Sequence, residues 1–152
     1  MTTRQTQYAN GKKSVPVGKH AGQDVGFLAS YDIVSGQDAA LVAAADRVEM
    51  FILPAGHVIN NMILLGVSGA VGTANVGLMS GTAGDPSNAR TVGSEFFVAA
   101  STNAAVTRMV EPGGFVVPAV DYDRGVGITI SADITQGAGR YLRLVVKMAP
   151  NP

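Results

Sequence analysis

The sequence predicts an all-β protein, an antiparallel two-sheet sandwich of jelly-roll-like type with an extended N-terminal arm. Alternating apolar and polar residues recur in short segments, and turns rich in Gly and Pro separate these segments at short intervals. This spacing favours two antiparallel sheets over an α/β fold. The length of 152 residues suits one compact domain. We therefore expect an arm at residues 1–24 and a sandwich at residues 25–152.

The predicted arm, residues 1–24, is polar and offers only Val15 and Val17 as apolar anchors. Such a segment cannot build a core by itself. Fully extended, it would reach roughly 80 Å, far enough to lie across a neighbouring subunit. A disordered tail is the alternative interpretation of the same composition.

Six segments that follow the arm hold β-branched, aromatic or alternating apolar residues, which favour strands. They end at turns such as Pro54-Ala55-Gly56 and Pro112-Gly113-Gly114. Residues 39–45 stay unassigned, since a short apolar run does not distinguish a helical turn from a strand. In chain order the six predicted strands are residues 25–34, 47–53, 58–67, 75–80, 95–100 and 105–110.

The last two predicted strands, residues 126–134 and 141–148, alternate most strictly between apolar and polar positions. The apolar positions face the core, and the polar positions between them face outward. The residues expected at the centre of the core are Ile128, Ile130, Leu142 and Leu144. Residues 135–140 are rich in glycine, so we expect the two strands to pair as an antiparallel hairpin.

The formal net charge is zero, because 11 Lys and Arg residues balance 11 Asp and Glu residues. The arm is nevertheless basic, since all of its positive charges precede the first acidic residue, Asp24. Charged residues form only 14% of the chain, a composition expected when other protein covers much of the surface. We interpret the chain as an assembly subunit.

Catalytic and metal-binding constellations are missing from the sequence. The absence of Cys removes thiol catalysis, thiolate zinc sites and disulfides. The two histidines, His20 and His57, lack the His-x-His spacing of a cupin-type metal site, and no Gly-x-Ser-x-Gly elbow occurs. We expect His57 to bond a nearby carbonyl. No enzyme activity, cofactor or metal site is therefore predicted.

Two polar loops have alternative interpretations. Asp121-Tyr122-Asp123 places two carboxylates on one side of an extended segment, as some calcium sites and glycoside-cleaving pairs require, but a turn is favoured. Residues 81–88 form a polar loop in which Asp85 is expected to bond the backbone beyond it, and a ligand-binding loop is the alternative interpretation.

Nucleic-acid and membrane contacts are not expected either. Basic residues outside the arm are scattered and outnumbered by acidic ones. No apolar run reaches the roughly 18 residues of a membrane span, and no secretory signal peptide is predicted.

Several motifs between residues 46 and 148 resemble those of one family. Residues 46–56 read Asp-Arg-Val-Glu-Met-Phe-Ile-Leu-Pro-Ala-Gly and lead to a long apolar strand. The segment Val-Gly-Leu-Met-Ser-Gly-Thr follows at residues 76–82, then Glu95-Phe96-Phe97, and an alternating pattern closes the chain at residues 128–146. With these features the chain resembles the small β-sandwich decoration, or cement, proteins of tailed-bacteriophage heads.

The resemblance implies a jelly-roll-like subunit on the outer surface of a virion, assembled in the host cytoplasm. Such a subunit reinforces contacts between major capsid subunits of the same virus, as a trimer in the favoured case or as a dimer. No catalytic or cofactor residue transfers with the resemblance. The alternatives are a carbohydrate-binding sandwich, which the lack of Trp weakens, and another virion part such as a major shell, tail or fibre-base component.

The composition of the arm adds a docking hypothesis. We expect the arm to be loose in the free subunit and to become ordered against a neighbour. Its valines would serve as apolar anchors, and its lysines would lie opposite acidic side chains. The residues proposed for this contact are Lys12, Lys13, Val15, Val17 and Lys19.

Overall fold

The computed structural model describes residues 2–18, 23–33, 40–43, 45–67, 70–103, 106–110 and 112–151. Nearly all of its regular structure is β-strand, which confirms the predicted all-β class. The elements in chain order are β1 (Thr2–Gln5), β2 (Val25–Asp32), β3 (Asp46–Leu53), β4 (His57–Leu65), β5 (Thr73–Leu78), β6 (Phe97–Ser101), β7 (Val106–Arg108), α1 (Pro112–Phe115), β8 (Arg124–Ile130) and β9 (Tyr141–Pro150).

The strands form two sheets that pack face to face as the predicted sandwich. One sheet has the strand order β1-β3-β8-β5-β6, and the other has the order β2-β9-β4-β7. Neighbouring strands are antiparallel except β1, which runs parallel to β3. Within this order, β1 and β2 are the free strands at one side of the sandwich, and β6 and β7 at the other.

The core lies between the two sheets, where the apolar faces of their strands meet. Ile128, Leu142 and Leu144 are at most 1% exposed and Ile130 is 9% exposed, so the predicted core centre is confirmed. These strands are β-branched or aliphatic at every second position, which places one complete face of each strand against the opposite sheet.

The expected hairpin between the last two strands is wrong. β8 lies between β3 and β5 in one sheet, whereas β9 lies between β2 and β4 in the other. Residues 131–140 cross between the sheets, and Ile134 forms an isolated bridge with Leu41 on the way. Alternation identifies the buried face of a strand but not its neighbour, and here the two buried faces meet across the core.

The N-terminal segment also differs from the expected arm, because its first residues belong to the sandwich. β1 pairs with β3 along its whole length, and Tyr8 is buried. The polar side chains here find partners at the sheet edge. Arg4 forms an ion pair with Asp46 at 3.0 Å, and Thr6 Oγ1 donates a hydrogen bond to the Met50 carbonyl. A polar sequence can form an edge strand when such hydrogen bonds satisfy it.

Candidate docking surfaces

After β1, the chain continues along one end of the sandwich. The Tyr8 ring lies 5.1 Å from the Phe27 ring, and Phe27 meets Phe51 edge-on, also at 5.1 Å. The Lys13 ammonium lies 4.9 Å from the centre of the Tyr8 ring, within the range of a cation–π contact. The aromatic group therefore connects this segment to both sheets.

The residues proposed for docking differ in their exposure. Lys12 and Lys13 are exposed, and Val17 is 53% exposed. Val15 is partly buried and packs against the core of its own sandwich. Lys19 lies outside the described residues. Of the described four, Val17 and the two lysines thus face solvent, while Val15 holds the segment on its own domain.

A polar groove of about 500 Å³ runs along the side where β1 and β2 are free. Gln5 and Lys12 line it on one wall, and Ser30 lines it on the other. Arg4 lies on this side as well. Burial alone would lower the pKa of Arg4, but its hydrogen bond to Asp46 and the nearby Tyr31 raise it above its usual value. This side of the molecule is therefore polar, and its charged residue Arg4 is already paired with Asp46 of the same chain.

The opposite side of the sandwich exposes apolar side chains, which we call the apolar edge. Each of them is between 53% and 75% exposed. They lie in or next to β6, β7 and α1, where both sheets also end without a neighbouring strand. Exposed apolar residues beside strands that lack a further neighbour in their sheet are typical of a protein contact. The apolar edge consists of Val98, Val106, Val110, Phe115 and Val116.

The turn α1 orients part of the apolar edge. Gly114 is buried so closely against the sandwich that a Cβ there would lie 2.9 Å from Met109 Sδ and 3.2 Å from Phe96 Cδ1. Phe115 and Val116 follow it and point to solvent. The sequence prediction missed this surface, although three apolar residues directly after a Pro-Gly-Gly turn were an available signal.

The outer face of β8 is covered, in contrast to the solvent-exposed face that alternation predicted. A Cβ on Gly125 would lie 2.5 Å from Arg90 Nη2, and one on Gly127 would lie 2.7 Å from Met79 Sδ. Residues 79–93 form this cover. Glycine at two successive outward positions of β8 was the sequence signal for it, because any side chain there would collide with the cover.

A buried ion pair fixes the cover to the sheet. Arg90 is 3% exposed and Glu49 is 0% exposed, and Arg90 Nη1 lies 2.8 Å from Glu49 Oε2. The Arg90 side chain also donates hydrogen bonds to the carbonyls of Ser80 and Asp85. Sequence analysis singled out neither Glu49 nor Arg90 and so did not identify the pair.

The polar loops behave as turns. His57 Nδ1 lies 2.9 Å from the Ala55 carbonyl, as predicted, although His57 begins β4 and is buried. Asp85 accepts a hydrogen bond from the Ser87 N–H at 2.9 Å, which confirms its predicted role. Asp123 accepts one from the Ala55 N–H, also at 2.9 Å.

Within the described part of the chain, no group of three or more His, Asp or Glu residues is arranged to hold a metal ion. The described residues also include no helix with the length and apolar character needed to cross a membrane.

Two solved structures share this architecture. A chain of the capsid of Ralstonia phage GP4 is 27% identical and superposes with a TM-score of 0.86, over 99% of each chain. A chain of the cyanophage Pam1 capsid asymmetric unit is 16% identical, with a TM-score of 0.56 over 90% of this chain and 91% of that one. The second match shows the fold alone. No protein-family model matches the chain, and no curated protein matches it. The similarity to the Ralstonia phage GP4 capsid chain indicates a phage capsid-related protein.

Proposed function

We propose that this chain is a decoration, or cement, protein that binds the outer surface of a bacteriophage head and stabilises it by bridging major capsid subunits. The apolar edge is the observation that carries the proposal. Exposed apolar surface of this kind is unfavourable on a free subunit and is explained when another protein covers it. The similarity to a phage capsid chain over the full length supports a virion as the place where this happens.

Bridging requires two contact surfaces, and the sandwich offers two of different chemistry. The apolar edge suits another copy of this chain in a trimer, because interfaces between identical subunits are more apolar than the average protein surface. The exposed Lys12, Lys13 and Val17 suit an acidic surface of the major capsid protein with a small apolar site. Lys19 remains part of this proposal on sequence grounds.

The copy number of the chain in purified virions tests the proposal. Mass analysis should find about as many copies as of the major capsid protein. A handful of copies per particle would indicate a tail or fibre-base component instead. Mild chaotrope should release the chain and leave intact shells that are less stable to heat. Shells that fall apart into subunits on its release would identify a major shell component.

Re-binding of the purified chain to stripped shells tests the basic contact. The combined change Lys12→Glu and Lys13→Glu should weaken attachment and reduce its sensitivity to salt. Lys147→Glu is the control, because Lys147 is an exposed lysine that belongs to β9 and not to this segment. If the natural chain, the double variant and the Lys147→Glu variant bind shells equally well, Lys12 and Lys13 are not part of the docking surface.

A further inference from the structure

Arg124, the first residue of β8, is a buried cation that has no acidic partner among the described residues. It is 9% exposed, and its Nε and Nη2 atoms are buried without a hydrogen-bond acceptor. Its cross-strand partner Leu53 is completely buried. Arg124 lies two residues before the core residue Val126 and therefore on the same face of β8. The guanidinium therefore lies at the end of the space between the sheets.

Burial lowers the pKa of Arg124 below its usual value, and the nearby Tyr122 acts in the opposite direction. An arginine nevertheless keeps its proton in proteins, so the positive charge stays in place. Two other arginines of the sandwich each form an ion pair with a carboxylate: Arg4 with Asp46, and Arg90 with Glu49. Among these three, Arg124 alone carries a charge that the described residues do not neutralise.

A second unsatisfied group lies at the same end of the sandwich. Arg124 pairs with the last residue of β3, and His57 begins β4 after the intervening turn, Pro54-Ala55-Gly56. His57 is 8% exposed, and its Nε2 atom is buried without a partner. The Ala55 carbonyl can only accept a hydrogen bond, so Nδ1 is the donor in this contact.

The nearest carboxylate in sequence, that of Asp123, is already engaged. It accepts the hydrogen bond of the Ala55 N–H and forms no ion pair with Arg124. A charge retained in a buried position without a partner destabilises the free subunit. Its retention is explained when the partner comes from outside the chain.

We infer that this end of the sandwich binds one carboxylate group. Arg124 carries planar N–H donors that match the two oxygens of a carboxylate. The residue is 9% exposed, and because its Nε and Nη2 atoms are themselves buried, the side chains around them must shift to admit the carboxylate. In the virion the carboxylate would be an Asp or Glu side chain of a neighbouring protein. The assignment of this carboxylate to a neighbouring protein rests on the proposed function, whereas the carboxylate site itself does not.

The site is tested on the free, full-length chain with acetate as the probe. Increasing acetate at constant ionic strength, with chloride as the exchanged anion, should raise the melting temperature of the natural chain and shift the NMR signal of the Arg124 Nε–H. Arg124→Met should abolish the melting response, and Arg124→Lys should weaken it, because Lys keeps the charge but loses the planar donor pair. Lys147→Met, at an exposed lysine on β9, should leave it unchanged.

Stability and assembly give the second readout. In the free chain Arg124→Met should raise the melting temperature, since it removes an unpaired buried charge. The same variant should bind stripped shells at least tenfold more weakly, while Lys147→Met binds normally. An acetate response without any loss of shell binding would assign the site to a free carboxylate. No acetate response, together with normal shell binding by Arg124→Met and Arg124→Lys, would overturn the inference.

Discussion

Glu49 and Arg90 form a two-point ion pair under the cover of residues 79–93, although they lie 41 positions apart in the chain. Both nitrogen–oxygen distances are 2.8 Å. The same carboxylate accepts hydrogen bonds from Gln5 Nε2 at 2.9 Å and from the Gly84 N–H at 3.1 Å. One side chain of β3 therefore holds together the edge strand β1, the sheet and the loop that covers it.

Arg90→Met should destabilise the protein strongly. The change leaves Glu49 buried without a counter-charge, and such losses amount to roughly 3–5 kcal/mol of unfolding free energy. Arg143→Met is the control, because the Arg143–Asp32 pair is 3.5 Å long and its side chains are 34% and 45% exposed. That loss should be about 0–1 kcal/mol. Denaturant unfolding measures both, and similar values for the two variants would contradict the assigned role of the buried pair.

Gly125→Ala should also be destabilising, because the new methyl group meets the same ion pair. Overpacking of this kind costs roughly 1–3 kcal/mol, or more where the neighbours cannot move. Gly26→Ala on β2 is the matched change, since its Cβ would come no closer than 3.7 Å to another atom. We expect the melting temperature of Gly26→Ala to lie close to that of the natural protein. If thermal melting shows no difference between them, the cover is looser than the contact distances indicate.

The sequence predicted the strands and the core well, and the pairing poorly. The alternation of Ile128 with Thr129 is local information, which is sufficient to identify a strand and its buried face. The partner of β8 depends on how a connection of ten residues crosses the core, and no local pattern encodes that choice. For the same reason the pair between Glu49 and Arg90 was missed. Its two members belong to segments that the fold alone brings together.

Ile128→Ala tests the predicted core face. Ile128 is 1% exposed, and truncation at such a position costs roughly 2–5 kcal/mol of unfolding free energy, a large part of a typical total. Thr129→Ala, one residue along β8 on the opposite face, should cost far less. Equal losses in denaturant unfolding would mean that the register is shifted by one residue, since such a slip exchanges the two faces.

Substitutions at Tyr8 and Val17 test the structural role and the docking role of the N-terminal segment independently. Tyr8→Ala should reduce unfolding free energy by roughly 3–5 kcal/mol, because it removes a buried ring from the contact with Phe27. Val17→Ser should change it by less than about 0.5 kcal/mol, since the side chain is largely exposed. Chemical unfolding and shell binding are measured on both.

Val17→Ser should still weaken attachment to stripped shells. These point changes are better probes than deletion of residues 1–23, which would also remove β1. A Val17→Ser protein that binds shells normally would leave the lysines as the docking residues of this segment.

The last prediction concerns the apolar edge. Val116→Glu places a charge on a side chain that is 75% exposed, so the fold should tolerate it and the melting temperature should stay nearly unchanged. Self-association should fall sharply, because a carboxylate buried in an apolar contact loses its hydration without compensation. Leu28→Glu is the control, since Leu28 is an exposed apolar residue on β2, at the opposite side of the sandwich. Analytical ultracentrifugation should show a smaller species for Val116→Glu and the natural species for Leu28→Glu. If Leu28→Glu alone dissociates the oligomer, the subunits meet along β1 and β2, and the apolar edge is left to contact the shell.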